Sequence, residues 1–447
     1  MVFSRMNWEQ LLSPKRESTK SVERRADRSE FEIDFDRLIF SLPFRKLQDK
    51  TQVFPLPEDD FVHNRLTHSL EVASVGRSLG KLVGDQILAK HTALSSLFSA
   101  SDFGAIVSAA SLAHDVGNPP FGHSGETAIS DFFKKNSLAN SIKSSVSVEE
   151  WEDLINFEGN AQGFRLINQS LHGLKLTYAT LGAFTKYPRQ SVLENKIEGK
   201  ASQKKYGYFQ SEKELFQNLA QELNLIERTR DLSWARHPLA FLVEAADDIC
   251  YHIIDLEDGC TLGLVSLEET IELLQPILGD QLDRIKLKGK ATQHEKLGTL
   301  RAMSINKLIN QAVSRFVEEE ELILKGEFDT DLTSTIESSN ALEEIKSISI
   351  DKIYRSQIVL EKEIAGFEVI TGLLESVVEA ILEFDQGTES QKSKTMLRVL
   401  PKEVTIFLLP GSLYHNLRII LDFISGMTDS HALTMYRKIK GMSMPSW

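Results

Sequence analysis

An almost entirely α-helical fold is expected from this sequence, on three observations. Apolar residues recur at helical spacing over long segments, whereas alternating runs of the β type are scarce. Punctuation is sparse, with 25 glycines and 12 prolines in 447 residues. Beyond residue 260 the segments are amphipathic and helix-prone, as at 342–350 and 364–382. No fixed-period repeat and no low-complexity tract interrupts this pattern.

Taken in order, the chain opens on a charged stretch. Lys15, Arg16, Lys20, Arg24, Arg25 and Arg28 outnumber Glu17, Glu23 and Asp27. Two readings stay open for residues 1–30: a solvated arm, or an arm that folds over an anionic ligand. From about Asp34 the pattern turns helical. Leu66, Leu70, Ala73, Leu79 and Leu82 mark the apolar stripe expected on a first long helix. Residues 103–113 are apolar nearly all round, as in a buried helix. Gly117, Pro119 and Pro120 stop that helix just after His114-Asp115. Residues 185–235, rich in Lys, Gln, Glu and Tyr, predict a polar excursion with some helix. Pro238 suits a first helical residue. The helix it opens runs through Phe241, Leu242, Val243, Ala245 and Ala246, with Gly259 as its expected end. Residues 286–301 predict a basic connector.

Bulk properties narrow the function classes. At 41% hydrophobic residues the chain can bury a large core. A formal charge of −13 argues against a dedicated nucleic-acid binder, although a local basic site is compatible with it. The only two cysteines are Cys250 and Cys260, which excludes a disulfide framework and fits a reducing compartment. The first 28 residues hold no apolar signal-peptide core, and no run approaches the ~18 apolar residues of a membrane span. A soluble cytoplasmic protein with no membrane partner is therefore expected.

Three features carry chemistry. His68 lies on a helix with a buried face. His114-Asp115 closes an apolar helix. Asp247-Asp248 interrupts the apolar run 241–249. A buried carboxylate is costly unless paired or bound to metal. Two imidazoles and two carboxylates from three helices would suit Mn, Fe, Mg, Zn or Co, with positions left for water and substrate. Each piece alone reads equally as an ordinary core histidine or a salt-bridged face.

The surroundings are more specific. His63-Asn64-Arg65-Leu66-Thr67-His68-Ser69, Ala113-His114-Asp115-Val116-Gly117 and Glu244-Ala245-Ala246-Asp247-Asp248 together resemble the His…His-Asp…Asp signature of the HD metal-dependent phosphohydrolases. The resemblance narrows to the bacterial deoxyguanosine-triphosphate triphosphohydrolases at residues 44–56, at Gly117-Asn118-Pro119-Pro120-Phe121-Gly122-His123, at 156–162 and at 423–429. It is dense from about residue 28 to 260 and returns near 420–440, with little between 265 and 415. It implies an HD-type helical catalytic domain at 31–270. The C-terminal helical region, 271–447, would complete the same globule and build subunit interfaces.

What the resemblance implies about the site is as follows. His68, His114, Asp115 and Asp247 hold one divalent metal, with no organic cofactor. His123 is the acid–base catalyst and Glu126 orients it, the local alternative for Glu126 being a helix-start carboxylate. Arg65, Lys186 and Tyr187 face the phosphates, with Asn160, Lys204 and Tyr206 as further candidates. Tyr251, one turn beyond Asp247, packs on the deoxyribose, while Asp255 and Gln48 bond the 3′-hydroxyl. Asn118 stands where some relatives carry another histidine. No Walker-type loop occurs.

The implied reaction is attack of metal-bound hydroxide on the α-phosphorus of a deoxynucleoside triphosphate, dGTP foremost, yielding deoxynucleoside and tripolyphosphate. Relatives form tetramers or hexamers, so a homo-oligomer is expected, and regulation by nucleotide or single-stranded DNA stays open. Two rival readings remain at this point: an HD phosphodiesterase or 5′-nucleotidase, and a nucleotide-sensing or single-strand-binding module with a structural metal.

Overall fold

The computed structural model describes residues 5–17, 28–53, 63–169, 174–193, 199–229, 232–284 and 292–443. Among them, paired strand is confined to one short antiparallel hairpin, Glu227–Thr229 with Ser233–Trp234. The remainder is helix and connecting loop, so the all-α expectation holds.

The frame starts with α1 (Arg65–Lys90), opened by a capping box in which Asn64 accepts from the Leu66 and Thr67 amides. It packs closely along α2 (Ala100–Ala113). The apolar stripe proves rotated from the one the spacing suggested, because Leu70 and Leu82 are substantially exposed. The buried face instead carries Gly76, Gly80 and Gly84 among Val72, Leu79, Val83 and Ile87. A Cβ on Gly80 would stand 2.6 Å from the Phe103 carbonyl oxygen. Small residues one turn apart thus bring the two backbones together where leucines would hold them off.

Helix α3 (His123–Lys135) follows the Pro119–Gly122 turn, and α4 (Gly159–Asn168) is capped by the Glu158 side chain. Pro238 opens α5 (Pro238–Thr261) as expected, with the His237 ring as its cap. This helix does not stop at Gly259. The glycine lies inside it, where a Cβ would meet Ile353 at 2.4 Å. The basic connector is also shorter than expected: residues 285–291 lie outside the described residues, and from Gln293 the chain is already α6 (Gln293–Leu324). Its capping box, Thr292 with Glu295, explains the early start. The C-terminal region supplies α7 (Gln357–Gln386), α8 (Leu413–Ser425) and α9 (Asp429–Ile439).

Two apolar clusters hold these helices. One gathers α1, α2, α5 and α6, and reaches residues 332–359. The other gathers α3, α7, α8 and α9. Each mixes residues from both sides of position 270.

The charged arm needs correction. Met6, Trp8, Leu11 and Leu12 are buried in the first cluster, and the Trp8 indole donates to Glu320 at 2.9 Å. Arg16 is buried against Asp34 and Glu30, and Arg28 pairs with Asp36. Residues 5–17 are thus a segment packed on the core rather than a solvated arm, because four apolar side chains anchor it while its charged residues other than Arg16 stay exposed. Lys20, Arg24 and Arg25 lie outside the described residues. The polar excursion at 185–235 also contributes aromatic residues to the interior: Tyr187, Tyr206, Tyr208 and Phe209 are buried, and Tyr208 stacks on Phe216 at 4.3 Å.

Candidate metal centre and active site

Three helices of the first cluster aim ligand atoms at one point. His68 sits on the first turn of α1, His114 caps α2, and Asp247 lies mid-way along α5. One donor atom from each lies within 4.8 Å of the others. Asp247 Oδ1 stands 3.1 Å from His68 Nε2 and 3.5 Å from His114 Nε2. The imidazole tautomer follows from a neighbour. His114 Nδ1 donates to the Ser111 carbonyl at 2.7 Å, which leaves Nε2 bare for a cation. Burial opposes the Asp247 charge, but the His114 and His68 imidazoles outweigh it and hold the carboxyl well below its usual range. The donor set suits a borderline or hard divalent ion.

Asp115 is not part of that three-residue group. Its Oδ1 stands 3.6 Å from His114 Nε2 and accepts from the Asn118 amide. Its Oδ2 lies 2.8 Å from Arg65 Nη1, at ion-pair distance but without an aligned hydrogen bond. A buried carboxylate takes a cation, and here the guanidinium supplies it. Arg65 therefore faces Asp115 and the Gly122 turn. Asp115 still borders the cavity, so the residues present fit a divalent ion, with Asp115 Oδ2 as a buried oxygen short of a full hydrogen-bond complement.

That cavity holds roughly 180 Å³ and is bounded by His114, Asp115 and Asp247 on one side, and by Asn118, Asn160, Lys186, Tyr187 and Lys205 on the other. A second cavity of roughly 230 Å³ adjoins it, with Tyr251, Lys204, Arg236, Asp248 and Lys346 among its walls. Lys186 and Glu244, 3.1 Å apart, belong to both. Glu244 also holds Arg236 at 2.7 Å. Burial alone would raise the Glu244 carboxyl, yet the two cations pull it down to about 2. The Lys186 ammonium stays charged for the reciprocal reason.

His123 opens α3 with its side chain facing solvent, and Nδ1 lies 3.1 Å from Glu126 Oε2. The other carboxylate oxygen accepts the Gly159 amide at 2.7 Å. The hydrogen bond that His123 donates to the Glu126 carboxylate raises the His123 pKa. Glu126 is thus both near the start of its helix and partner to the imidazole, so the two readings of it coincide.

The sugar-side candidates are divided. The Tyr251 ring stacks on Tyr354, with centroids 5.6 Å apart. Tyr354 donates to Asp255 at 2.7 Å, and burial lifts the Asp255 carboxyl to about 7. Gln48 is exposed on the Lys46–Asp49 turn, and no hydrogen bond joins it to Asp255. Of the weaker candidates, Asn160 borders the first cavity, Lys204 the second, and Tyr206 is buried with its hydroxyl on the Asn156 carbonyl.

Sequence reasoning missed Lys205 and Glu244. Lys205 faces the first cavity and bonds Glu158, while its neighbour Lys204 is more exposed and borders the second cavity instead. The adjacent pair carries no period that tells which lysine turns inward. Glu244 did carry a signal, as a charge inside the apolar run 241–249.

The chain is similar to known families and proteins. The HD domain family matches residues 65–174, and the phosphohydrolase-associated domain family matches residues 332–438. A deoxyguanosinetriphosphate triphosphohydrolase-like protein of Synechocystis is 41% identical, over 98% of this chain and 100% of its own. One of Pseudomonas aeruginosa is 40% identical, over 99% and 100%. The deoxyguanosinetriphosphate triphosphohydrolase of Salmonella arizonae is 31% identical, over 92% and 93%. No helix among the described residues is long and apolar enough to cross a membrane.

Proposed function

The chain belongs to the deoxyguanosinetriphosphate triphosphohydrolase family of HD-domain hydrolases, and from that premise we propose that it converts a deoxynucleoside triphosphate, dGTP foremost, and water into deoxynucleoside and tripolyphosphate. The observation that carries this reading is the convergence of His68, His114 and Asp247, the latter two in the wall of a lysine-flanked cavity. With Asp115, these residues would hold one Mn, Mg, Fe, Co or Zn ion. When bound, such an ion polarises phosphoryl oxygens and acidifies water.

The chain's own residues supply the rest. Lys186, Lys205 and Arg65 offset charge on the triphosphate, and Asn160 and Tyr187 orient it. The α-phosphorus gains an oxygen from water, and its bond to the 5′-oxygen breaks. His123, kept protonated by Glu126, delivers a proton to the departing 5′-oxygen. Tyr251, held by Tyr354, covers the sugar where a 2′-hydroxyl would find no partner. Asp255 accepts the 3′-hydroxyl, whereas Gln48 enters that role by resemblance alone.

The reading extends to organisation. Residues 31–270 would form the catalytic part and 271–447 its completion, an arrangement supported by the mixed composition of both clusters. Exposed Ile358, Leu360, Ile364, Ile406 and Leu409 offer the C-terminal region an apolar surface for homo-oligomer contacts. Effector binding by nucleotide or single-stranded DNA, and a cytoplasmic setting, complete the proposal.

The test is product analysis. Purified protein with Mn²⁺ is given each dNTP and NTP in turn. Tripolyphosphate and free deoxynucleoside support the reading, and stepwise release of single phosphates rejects it.

A further inference from the structure

The segment 423–429 stood out in the sequence, yet it contributes nothing to the metal centre or to the walls of either cavity. Its aspartate nevertheless reaches the turn that carries His123. The amide of Phe121 donates to Asp429 Oδ1 at 2.8 Å. The other oxygen accepts both the Thr51 amide, at 3.1 Å, and the Thr51 hydroxyl, at 2.7 Å. Lys362 Nζ stands 3.5 Å away. Asp429 is buried at the first position of α9, and its neighbour Ser430 bonds Asp49 at 3.1 Å. One carboxylate therefore ties the motif around residue 50 to the turn before α3.

That turn needs holding. Phe121 has φ +62° and Gly122 φ +61°, two left-handed residues in succession. A non-glycine residue pays for that conformation with strain of about 1 kcal/mol or more, and keeps it only when its surroundings over-determine it. Three contacts do so. Asp429 takes the Phe121 amide. The Phe121 side chain fits over Gly366 of α7, where a Cβ would lie 2.7 Å from its own. Arg65 lies under Gly122, where a Cβ would meet Nη2 at 2.7 Å. On the same turn, Lys50 Nζ bonds the Asn118 carbonyl and, at 2.7 Å, the Ser425 carbonyl at the end of α8. The next residue is His123, whose side chain is largely exposed and bonds Glu126.

We propose that Asp429 is a positioning residue for the hydrolysis, holding the Phe121–Gly122 turn at its positive φ angles so that His123, with its partner Glu126, is presented to the substrate. The C-terminal helices then act on the reaction through this turn, without touching substrate or metal. The inference rests on the proposed role of His123.

The experiment uses the full chain loaded with Mn²⁺, as wild type, Asp429→Ala and Asp429→Asn. Three quantities are read: steady-state rates with dGTP, metal content, and hydrogen exchange over residues 118–123. Asp429→Ala should lower kcat by on the order of tenfold to a hundredfold while KM moves by less than about threefold. Metal content should not change, and exchange at 118–123 should quicken. Asp429→Asn keeps the shape and one acceptor oxygen, so it should fold and fall between the two; it decides the matter if Asp429→Ala does not fold. Variants with wild-type kcat, unaltered exchange at the turn, or a rate lost only together with the metal would overturn the inference. If the wild type releases no tripolyphosphate, the failure belongs to the proposed reaction, and hydrogen exchange alone still decides whether Asp429 holds the turn.

Discussion

His123 and Glu126 touch across the boundary of the protein: 3.1 Å separates Nδ1 from Oε2, yet the histidine side chain is 83% exposed and the glutamate's only 10%. The carboxylate is fixed from within by the Gly159 amide, so a buried, anchored group governs the charge of an exposed one. In the proposed reaction this arrangement would leave the imidazole free to meet substrate while Glu126 favours its protonated form.

Replacement of His123 should therefore remove rate and leave the cation site alone. His123→Ala is expected to lower kcat by roughly 10²- to 10⁴-fold. Metal content, measured on the same preparation, should match wild type. Loss of the ion in this variant would transfer His123 to the metal centre.

The Glu126 bond raises the His123 pKa, so the imidazolium persists to higher pH than an isolated histidine would. If the protonated form is the proton donor, activity should decline as pH rises through that elevated value. In Glu126→Gln the alkaline decline should move to lower pH, toward the ordinary histidine value of about 6.5. A profile whose alkaline limb stays in place in the variant would detach this pair from the chemistry.

Glu244 lies between two cations, with Lys186 at 3.1 Å and Arg236 at 2.7 Å. Arg236 is fully buried, and Glu244→Gln removes the one carboxylate within ion-pair distance of it among the described residues. A loss of about 3–5 kcal/mol in denaturant unfolding is expected. The carboxyl pKa is depressed from 4.5 to about 2, so this stabilisation is complete above about pH 4.5 and disappears as pH falls toward 2. A variant of wild-type stability at pH 7 would contradict the pairing.

Tyr251 and Tyr354 form a stacked wall beside Asp255. Tyr251→Ala should open room for a 2′-hydroxyl. The ratio of kcat/KM for dGTP over GTP should fall by roughly 10- to 100-fold. An unchanged ratio would place sugar discrimination elsewhere.

Close packing of α1 on α2 makes Gly80 sensitive. Its Cβ position lies 2.6 Å from a backbone oxygen, which cannot swing aside as a side chain would. Gly80→Ala is expected to cost about 1–3 kcal/mol by thermal or denaturant unfolding, despite alanine's better helix propensity.

Much of this was legible in the chain. Helical periodicity, Pro238 as a helix start, and the break at Gly117–Pro120 act over a few residues, and each appears where expected. The polar side chains standing in apolar runs, His114 and Asp247, marked the cavity wall because burial of an unsatisfied polar group is costly. Orientation around a helix axis was less legible. On α1 the leucines suggested one face, and the glycines that permit the α2 contact turned out to define the other. Choice between neighbours failed for the same reason at Lys204 and Lys205, where tertiary contact with Glu158 decides. Long-range ties such as Trp8 to Glu320 and Thr51 to Asp429 leave no local pattern, so neither the packed N-terminal segment nor the support of the His123 turn could be read from spacing.

The central claim is that His68, His114 and Asp247, with Asp115 beside them, hold the cation on which hydrolysis depends. It is tested most directly by metal content per chain after loading with Mn²⁺ and desalting, in wild type and in His68→Ala, His114→Ala and Asp247→Ala. The account predicts about one ion per wild-type chain, background levels in each variant, and loss of dGTP turnover in parallel. A wild type that retains no ion, or variants that keep both ion and turnover, would contradict it.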